Sequence, residues 1–245
     1  MEIQQNSPIP LYVQIKEQLE FQIRDGVYPI GSRLPSEREL AQIFKVSRMT
    51  ARQALQFMAQ EGIVDSSTGK GTYVLMPKIE RQLRSLTGFS QEMQQRGLAQ
   101  SSQVQKAIVE QANYEVAKLL QIPYTSEIVI LDRVRLANNR PLGLEYAHLV
   151  HDLCRGILEN HDFSHDSLYK VLREEYGLEL TWADQTIEAR LPSTIECKLL
   201  GIDRQTPVIC MIRVTYTKQN RPIEYVRSSY RGDEYQLHAI LRSPE

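Results

Sequence analysis

A chain of 245 residues can bury one large core or two smaller ones, and two domains are the more natural division at this length. Its 42% hydrophobic and 24% charged residues are ordinary for a globular protein, no apolar run approaches the roughly 20 residues of a membrane helix, and MEIQQNSPIP has no secretory h-region, so the expected compartment is the cytosol. A net charge of −1, with Lys and Arg merely balancing Asp and Glu over residues 1–76, makes no bulk case for a nucleic-acid partner; any such case must rest on where the basic residues sit.

Pro10 opens a periodic segment in which Leu11, Ile15, Leu19 and Ile23 recur every four residues, the pattern of an amphipathic packing helix. Ser36, with Glu39 three residues on, predicts a capping box and a helix start in LPSERELA, with Leu40 and Phe44 turned inward. After the break KVS, Ser47 can cap a further helix whose apolar stripe is Ala51, Ala54, Leu55 and Met58. Two short helices joined by a tight turn form a helix-turn-helix. The strand-like runs IVDSS and GTYVL flank Thr68–Gly71 and predict a hairpin wing.

The first turn of a recognition helix enters the major groove and needs short polar and basic side chains. Ser47, Arg48, Thr50 and Arg52 meet that need, and Arg38 lies early in the preceding helix, which crosses the phosphate backbone. Gly69 lets the wing backbone approach a groove, and Lys70 beside it suits phosphate. The strings SPIPLYVQIKEQLEFQI, LPSERELA, SRMTARQAL, EGIV and GKGTYV together resemble the DNA-binding domain of GntR-family bacterial regulators. That resemblance implies a homodimer on an operator with two-fold symmetry, and it puts phosphate and base contacts on Arg38, Ser47, Arg48, Thr50, Arg52 and Gly69.

Residues 77–97 are rich in Gln and Arg and follow a strand-breaking Pro77. They predict a connector leading into a short helix, Phe89 to Arg96, before an effector domain over 98–245. Within that domain, residues 117–146 lie over 197–226 at an offset of 80. The match includes Lys118/Lys198, Leu120/Leu200, Ile122/Ile202, Arg133/Arg213 and Val134/Val214. Each copy reads as a helix, a strand, an Asn-containing turn and a return strand, so the expected fold class is α+β, a winged helix-turn-helix plus a pseudo-symmetric antiparallel sheet with a cleft between its halves.

Alternation places Arg133 and Arg135 on one face of their strand, where two guanidiniums would repel without an anion between them. Solvated arginines, or arginines paired with Glu145 or Asp132, are the bland alternative. Glu145, Glu224 and Tyr230 on return strands, and Ser167 and Tyr169 on the intervening helix, are further candidates for a ligand. RVRLANNRPLGLE, DSLYKVL and IEYVRSSYRGDEY resemble the effector domain of the HutC-type branch, which implies a chorismate-lyase-like fold. In members that sense phosphorylated amino sugars, the paired arginines and a helix serine hold phosphate, and a glutamate and a C-terminal tyrosine meet the sugar. Carried over, these are Arg133, Arg135, Ser167, Glu145 and Tyr230, with residues near Thr87 to Ser90 bordering the pocket. Other members take carboxylates such as urocanate, so the effector does not follow from the fold.

The sequence thus predicts a repressor released from DNA by a small anion, best represented by N-acetylglucosamine 6-phosphate. A lyase-like enzyme is the competing class, but His148, His151, His161, His165 and Cys154 form no readable nucleophile–base motif, and HDFSH matches a metal cluster only weakly. No cofactor, metal or catalytic residue is expected, and three scattered cysteines suit reduced thiols. A purely architectural DNA binder would need a charge excess that the N-terminal region lacks.

Overall fold

The computed structural model describes residues 3–5, 7–67, 71–75 and 78–241. The chain divides into two compact units, Met1–Lys78 and Ile79–Glu245.

The first unit holds α1 (Leu11–Arg24), α2 (Glu37–Ile43), α3 (Arg48–Gln60) and the hairpin β1 (Val64–Ser67) and β2 (Gly71–Val74). Ser36 and Glu39 form the reciprocal capping box, and the Ser47 hydroxyl accepts from the Thr50 amide, so both starts satisfy donors that a helix otherwise leaves orphaned. Ile15 and Leu19 of α1, Leu40 of α2, and Ala51, Ala54, Leu55 and Met58 of α3 close on Val64 and Val74 as one core. Burial of that stripe fixes which face of α3 is left to solvent.

The second unit is built on a six-stranded sheet. In chain order its elements are β3 (Ile79–Gln82), α4 (Phe89–Gln95), β4 (Gln100–Gln111), α5 (Tyr114–Leu120), β5 (Glu127–Ala137) and β6 (Arg140–Val150). There follow α6 (Ile157–Asn160), α7 (Leu168–Glu174), β7 (Leu180–Arg190), α8 (Thr194–Leu200), β8 (Val208–Thr217), β9 (Pro222–Arg231) and β10 (Tyr235–His238). The sheet order is β4-β5-β6-β9-β8-β7, antiparallel throughout.

The sequence repeat appears as α5-β5-β6 and α8-β8-β9, related across the central β6–β9 pair. Both hairpin tips place asparagine in the left-handed region (Asn138, Asn139 and Asn220), where its side chain makes that conformation tolerable. Helices α5 and α8 cover the same sheet face at opposite ends, over Ile128, Ile130 and Val150 and over Val134, Leu144 and Val208.

The other face carries two covers. Helices α6 and α7 pack on Val129, Leu131, Ala147 and Leu149, while β3, α4 and β10 pack on Leu142, Met211 and Tyr230. Part of the stretch expected to be a connector is therefore structured. Strand β3 pairs in parallel with β10, in the register Ile79↔Tyr235 to Gln82↔His238, and buries Ile79 and Arg81. Cys154 and Cys210 are buried and Cys197 half-buried, all three as free thiols.

Candidate functional site

On the first unit, Arg38, Ser47, Arg48 and Arg52 are exposed, and the apolar stripe of α3 faces away from them. Thr50 is half-buried, its hydroxyl 2.8 Å from that of Ser47, which fixes the first turn of α3. The Arg52 Nε lies 3.9 Å from Glu37, a loose exposed pair that holds it only weakly. Met49, which sequence reasoning passed over, is 69% exposed on the same turn. Gly69 and Lys70 lie outside the described residues.

On the second unit, all seven predicted effector residues line a single cavity at the seam between the two covers: Arg133, Arg135, Glu145, Ser167, Tyr169, Glu224 and Tyr230. The alternation of β5 sends Arg133 and Arg135 to one side, and β6 and β9 supply Glu145, Glu224 and Tyr230 from the middle of the floor. Ser167 is the N-cap residue of α7 but spends no side-chain hydrogen bond on the cap. Six further residues line the wall beside those seven: Arg81, Gly88, Phe89, Ser90, Leu168 and Arg213. Of these, Gly88, Phe89 and Ser90 fall in the stretch that the family resemblance put at the pocket border. Arg213 had its own signal, as the repeat partner of Arg133.

Arg133 pairs with Glu145, so the bland pairing does occur, yet it leaves Arg133 Nε and Nη1 buried with no hydrogen-bond partner. Arg135 reaches Ser102 at 2.9 Å and Ser90 at 3.4 Å, and its guanidinium stacks 4.5 Å from the Phe89 ring, with Nε left unpartnered. Burial, with Arg133 adding to it, lowers the Arg135 pKa to about 10. Burial would raise Glu145, but the guanidiniums of Arg133 and Arg135 outweigh it and hold that carboxyl at about 2.

At the far side of the cavity, Tyr169 and Thr215 each donate to Glu224 Oε2 at 2.7 Å. Burial, reinforced by Glu224, keeps the Tyr169 phenol protonated well beyond its usual range. Arg213 lies over the Tyr169 ring at 5.6 Å, and its Nε also has no partner.

Backbone geometry shapes the floor. Gly143 pairs with Tyr230, and a Cβ on Gly143 would stand 2.6 Å from the tyrosine ring, so only glycine lets that ring lie flat across β6. The enclosed space is about 20 Å³, room for about one water. Outside it, a groove of about 620 Å³ shares Gly88, Ser90, Ser167 and Tyr169 with the cavity wall. Where cavity and groove share a wall, Gly88 lies close to the Tyr169 ring: a Cβ on that glycine would stand 3.3 Å from it.

Residues 11–74 match the bacterial regulatory proteins, gntR family, and residues 95–236 match the UTRA domain. The chain is 37% identical over 235 residues, 96% of each chain, to the HTH-type transcriptional repressor NagR of Bacillus subtilis. It is 29% identical to the mannosyl-D-glycerate transport/metabolism system repressor MngR of Escherichia coli, covering 95% of this chain and 96% of that one. The crystal structure of PhnF from Mycobacterium smegmatis superposes with a TM-score of 0.75 at 31% identity, covering 94% of this chain and all of that one. No helix among the described residues is long and apolar enough to cross a membrane. The chain is a DNA-binding transcription regulator, and it belongs to the gntR family in the group whose second domain is a UTRA domain.

Proposed function

We propose that the protein is a homodimeric repressor whose UTRA cavity binds a phosphorylated amino sugar and thereby releases operator DNA. The observation that carries the reading is the unspent charge in the cavity wall. Four arginines face two glutamates there, and buried nitrogens on Arg133, Arg135 and Arg213 lack partners. A buried guanidinium nitrogen without an acceptor is unfavourable, and a phosphate monoester with about 1.5 to 2 negative charges and three acceptor oxygens relieves several at once. A monocarboxylate offers half the charge and fewer oxygens.

In this reading Arg133, Arg135, Ser90 and Ser167 take the phosphate. Glu145, Glu224, Tyr169 and Tyr230 take the hydroxyl and amide groups of the sugar. Two full-length relatives are named repressors, and the sequence resembles members of the branch that sense amino-sugar phosphates. On the DNA side, Arg48, Thr50 and Arg52 read bases while Arg38, Ser47 and the wing residues Gly69 and Lys70 meet the backbone.

Because the space holds about one water, a hexose phosphate can enter only if the cavity wall rearranges, and the wall shared with the outer groove at Gly88 and Tyr169 is the place that this reading assigns to it. Effector binding is then coupled to rearrangement, and release follows if the two arrangements differ in operator affinity. The test is an operator mobility shift titrated with N-acetylglucosamine 6-phosphate, glucosamine 6-phosphate and urocanate. Release by an amino-sugar phosphate at concentrations where urocanate is inert is the expected result. Release by urocanate alone would overturn the phosphate assignment.

A further inference from the structure

Every wall residue of the effector cavity except one comes from residues 88–90, β5, β6, residues 167–169, β8 or β9. The exception is Arg81, on β3. Strand β3 begins at Ile79, directly after Lys78, where the DNA-binding unit ends. Arg81 is therefore the one cavity side chain carried by the segment that continues the DNA-binding unit.

Its attachments are weak individually. Arg81 is 6% exposed, yet its nearest polar partners are the Met211 sulfur at 3.5 Å, the Thr87 carbonyl at 3.4 Å and the Glu92 carboxylate at 3.8 Å. Its guanidinium also lies 5.9 Å from the Tyr230 ring. None of these is a short charge-assisted hydrogen bond, the geometry in which a guanidinium is held firmly. Glu92, by contrast, is fastened from the other side: the Tyr235 hydroxyl lies 2.8 and 2.9 Å from its two oxygens. Tyr235 stands on β10, the one strand that β3 pairs with among the described residues, over four residue pairs. A ladder that short is marginal without side-chain anchorage, and the inward side chains of β3 are Ile79 and Arg81.

We propose that Arg81 relays effector occupancy from the cavity to β3, the strand that leads out of the DNA-binding unit, by exchanging Glu92 for the effector's anionic group. The proposal rests on the effector reading above. With the cavity empty, Arg81 leans on Glu92, and β3 sits in register on β10. An anion entering a space of about 20 Å³ must displace wall groups, and Arg81, unlike Arg133 and Arg135, has no hydrogen bond shorter than 3.4 Å to hold it back. Drawn to the anion, it leaves Glu92 to Tyr235 and loosens β3 from β10. That gives one element two alternative partners, which both the effector and the DNA can bias.

The test uses the full-length protein, a labelled operator fragment and N-acetylglucosamine 6-phosphate as the probe. In the native protein, saturating sugar phosphate lowers operator affinity by a factor within the roughly 5–150-fold range of typical couplings. In Arg81→Met the same saturation, reached at whatever sugar concentration calorimetric titration shows to fill the weakened site, lowers it by less than about twofold. Normal release by Arg81→Met overturns the relay, and so does loss of sugar binding together with release, which would make Arg81 an ordinary binding residue.

Should Arg81→Met fail to fold by thermal melting, Glu92→Gln decides. It removes the resting partner's charge, so operator affinity without sugar falls towards the native sugar-saturated value; an unchanged response overturns the relay. A native protein that does not bind the sugar at all sinks the effector reading and the relay with it. A native protein that binds and releases, beside an Arg81→Met that does the same, sinks the relay alone.

Discussion

Arg133 and Arg213 occupy equivalent positions of the two sequence repeats and reach one cavity from opposite halves of the sheet. They stand on β5 and β8, three strand spacings apart, or about 14 Å. The cavity is thus a product of the repeat itself, built where the two copies meet, and neither copy holds it alone. Arg213→Ala is expected to weaken binding of N-acetylglucosamine 6-phosphate by roughly 10- to 100-fold, the loss of one charged hydrogen bond, without change in operator affinity. Calorimetry on the effector and mobility shift on the operator check the two halves of the claim. Arg133→Ala combined with Arg135→Ala should abolish release altogether while leaving DNA binding intact.

Gly143 sets the position of Tyr230, because a methyl there would stand 2.6 Å from the ring. Gly143→Ala is expected to push Tyr230 off β6 and to cost effector affinity more than it costs stability. A thermal melt beside an effector titration separates the two: a lower melting temperature with native effector affinity would show that the ring's position is immaterial to binding.

Arg48 and Met49 share the exposed first turn of α3. An arginine reading guanine contributes about 1–3 kcal/mol of discrimination, so Arg48→Ala should narrow the gap between operator and scrambled DNA by that amount. Met49, an exposed apolar side chain beside it, suits a thymine methyl group. Met49→Ala should relax preference at one thymine position in a binding-site selection, and an unaltered selection profile would remove Met49 from the reading surface.

Glu145 couples the empty cavity to pH. Its folded pKa, about 2, lies below its ordinary value of 4.5, with the guanidiniums of Arg133 and Arg135 outweighing burial. A depressed carboxyl contributes stability above its unfolded pKa and loses it as pH falls through the folded one. Unfolding free energies from denaturant titration should therefore drop between about pH 4.5 and 2, by on the order of 3 kcal/mol for this site. Glu145→Gln should be less stable at neutral pH, with a flatter dependence over that window; an identical slope in both proteins would deny the carboxyl this role.

Much of this was legible in the sequence because the signals are local. Ser36 with Glu39, Ser47 with Thr50, and the alternation through Arg133 and Arg135 act within a turn or a strand, and the repeat announced two matching hairpins. Arg213 was legible in principle, since its identity with Arg133 was visible, but a single arginine among IRVTY gives no face of its own. Arg81 gave no signal. The stretch IERQ is short and polar, and it becomes a strand only because its partner lies 156 residues downstream. The cavity wall depends on residues from seven separate segments meeting, which no local pattern encodes.

Had the two repeats stayed identical, the sheet would have offered a bound sugar phosphate two equivalent poses, head to tail and tail to head. Arg133 has its counterpart in Arg213, but the repeat position of Arg135 is filled by Thr215, which is spent on Glu224. One end of the floor therefore carries two guanidiniums from one strand beside Glu145, and the other carries a single guanidinium beside Glu224. That divergence at one pair of positions removes the pose degeneracy: an anion-tipped molecule has one favourable way to lie.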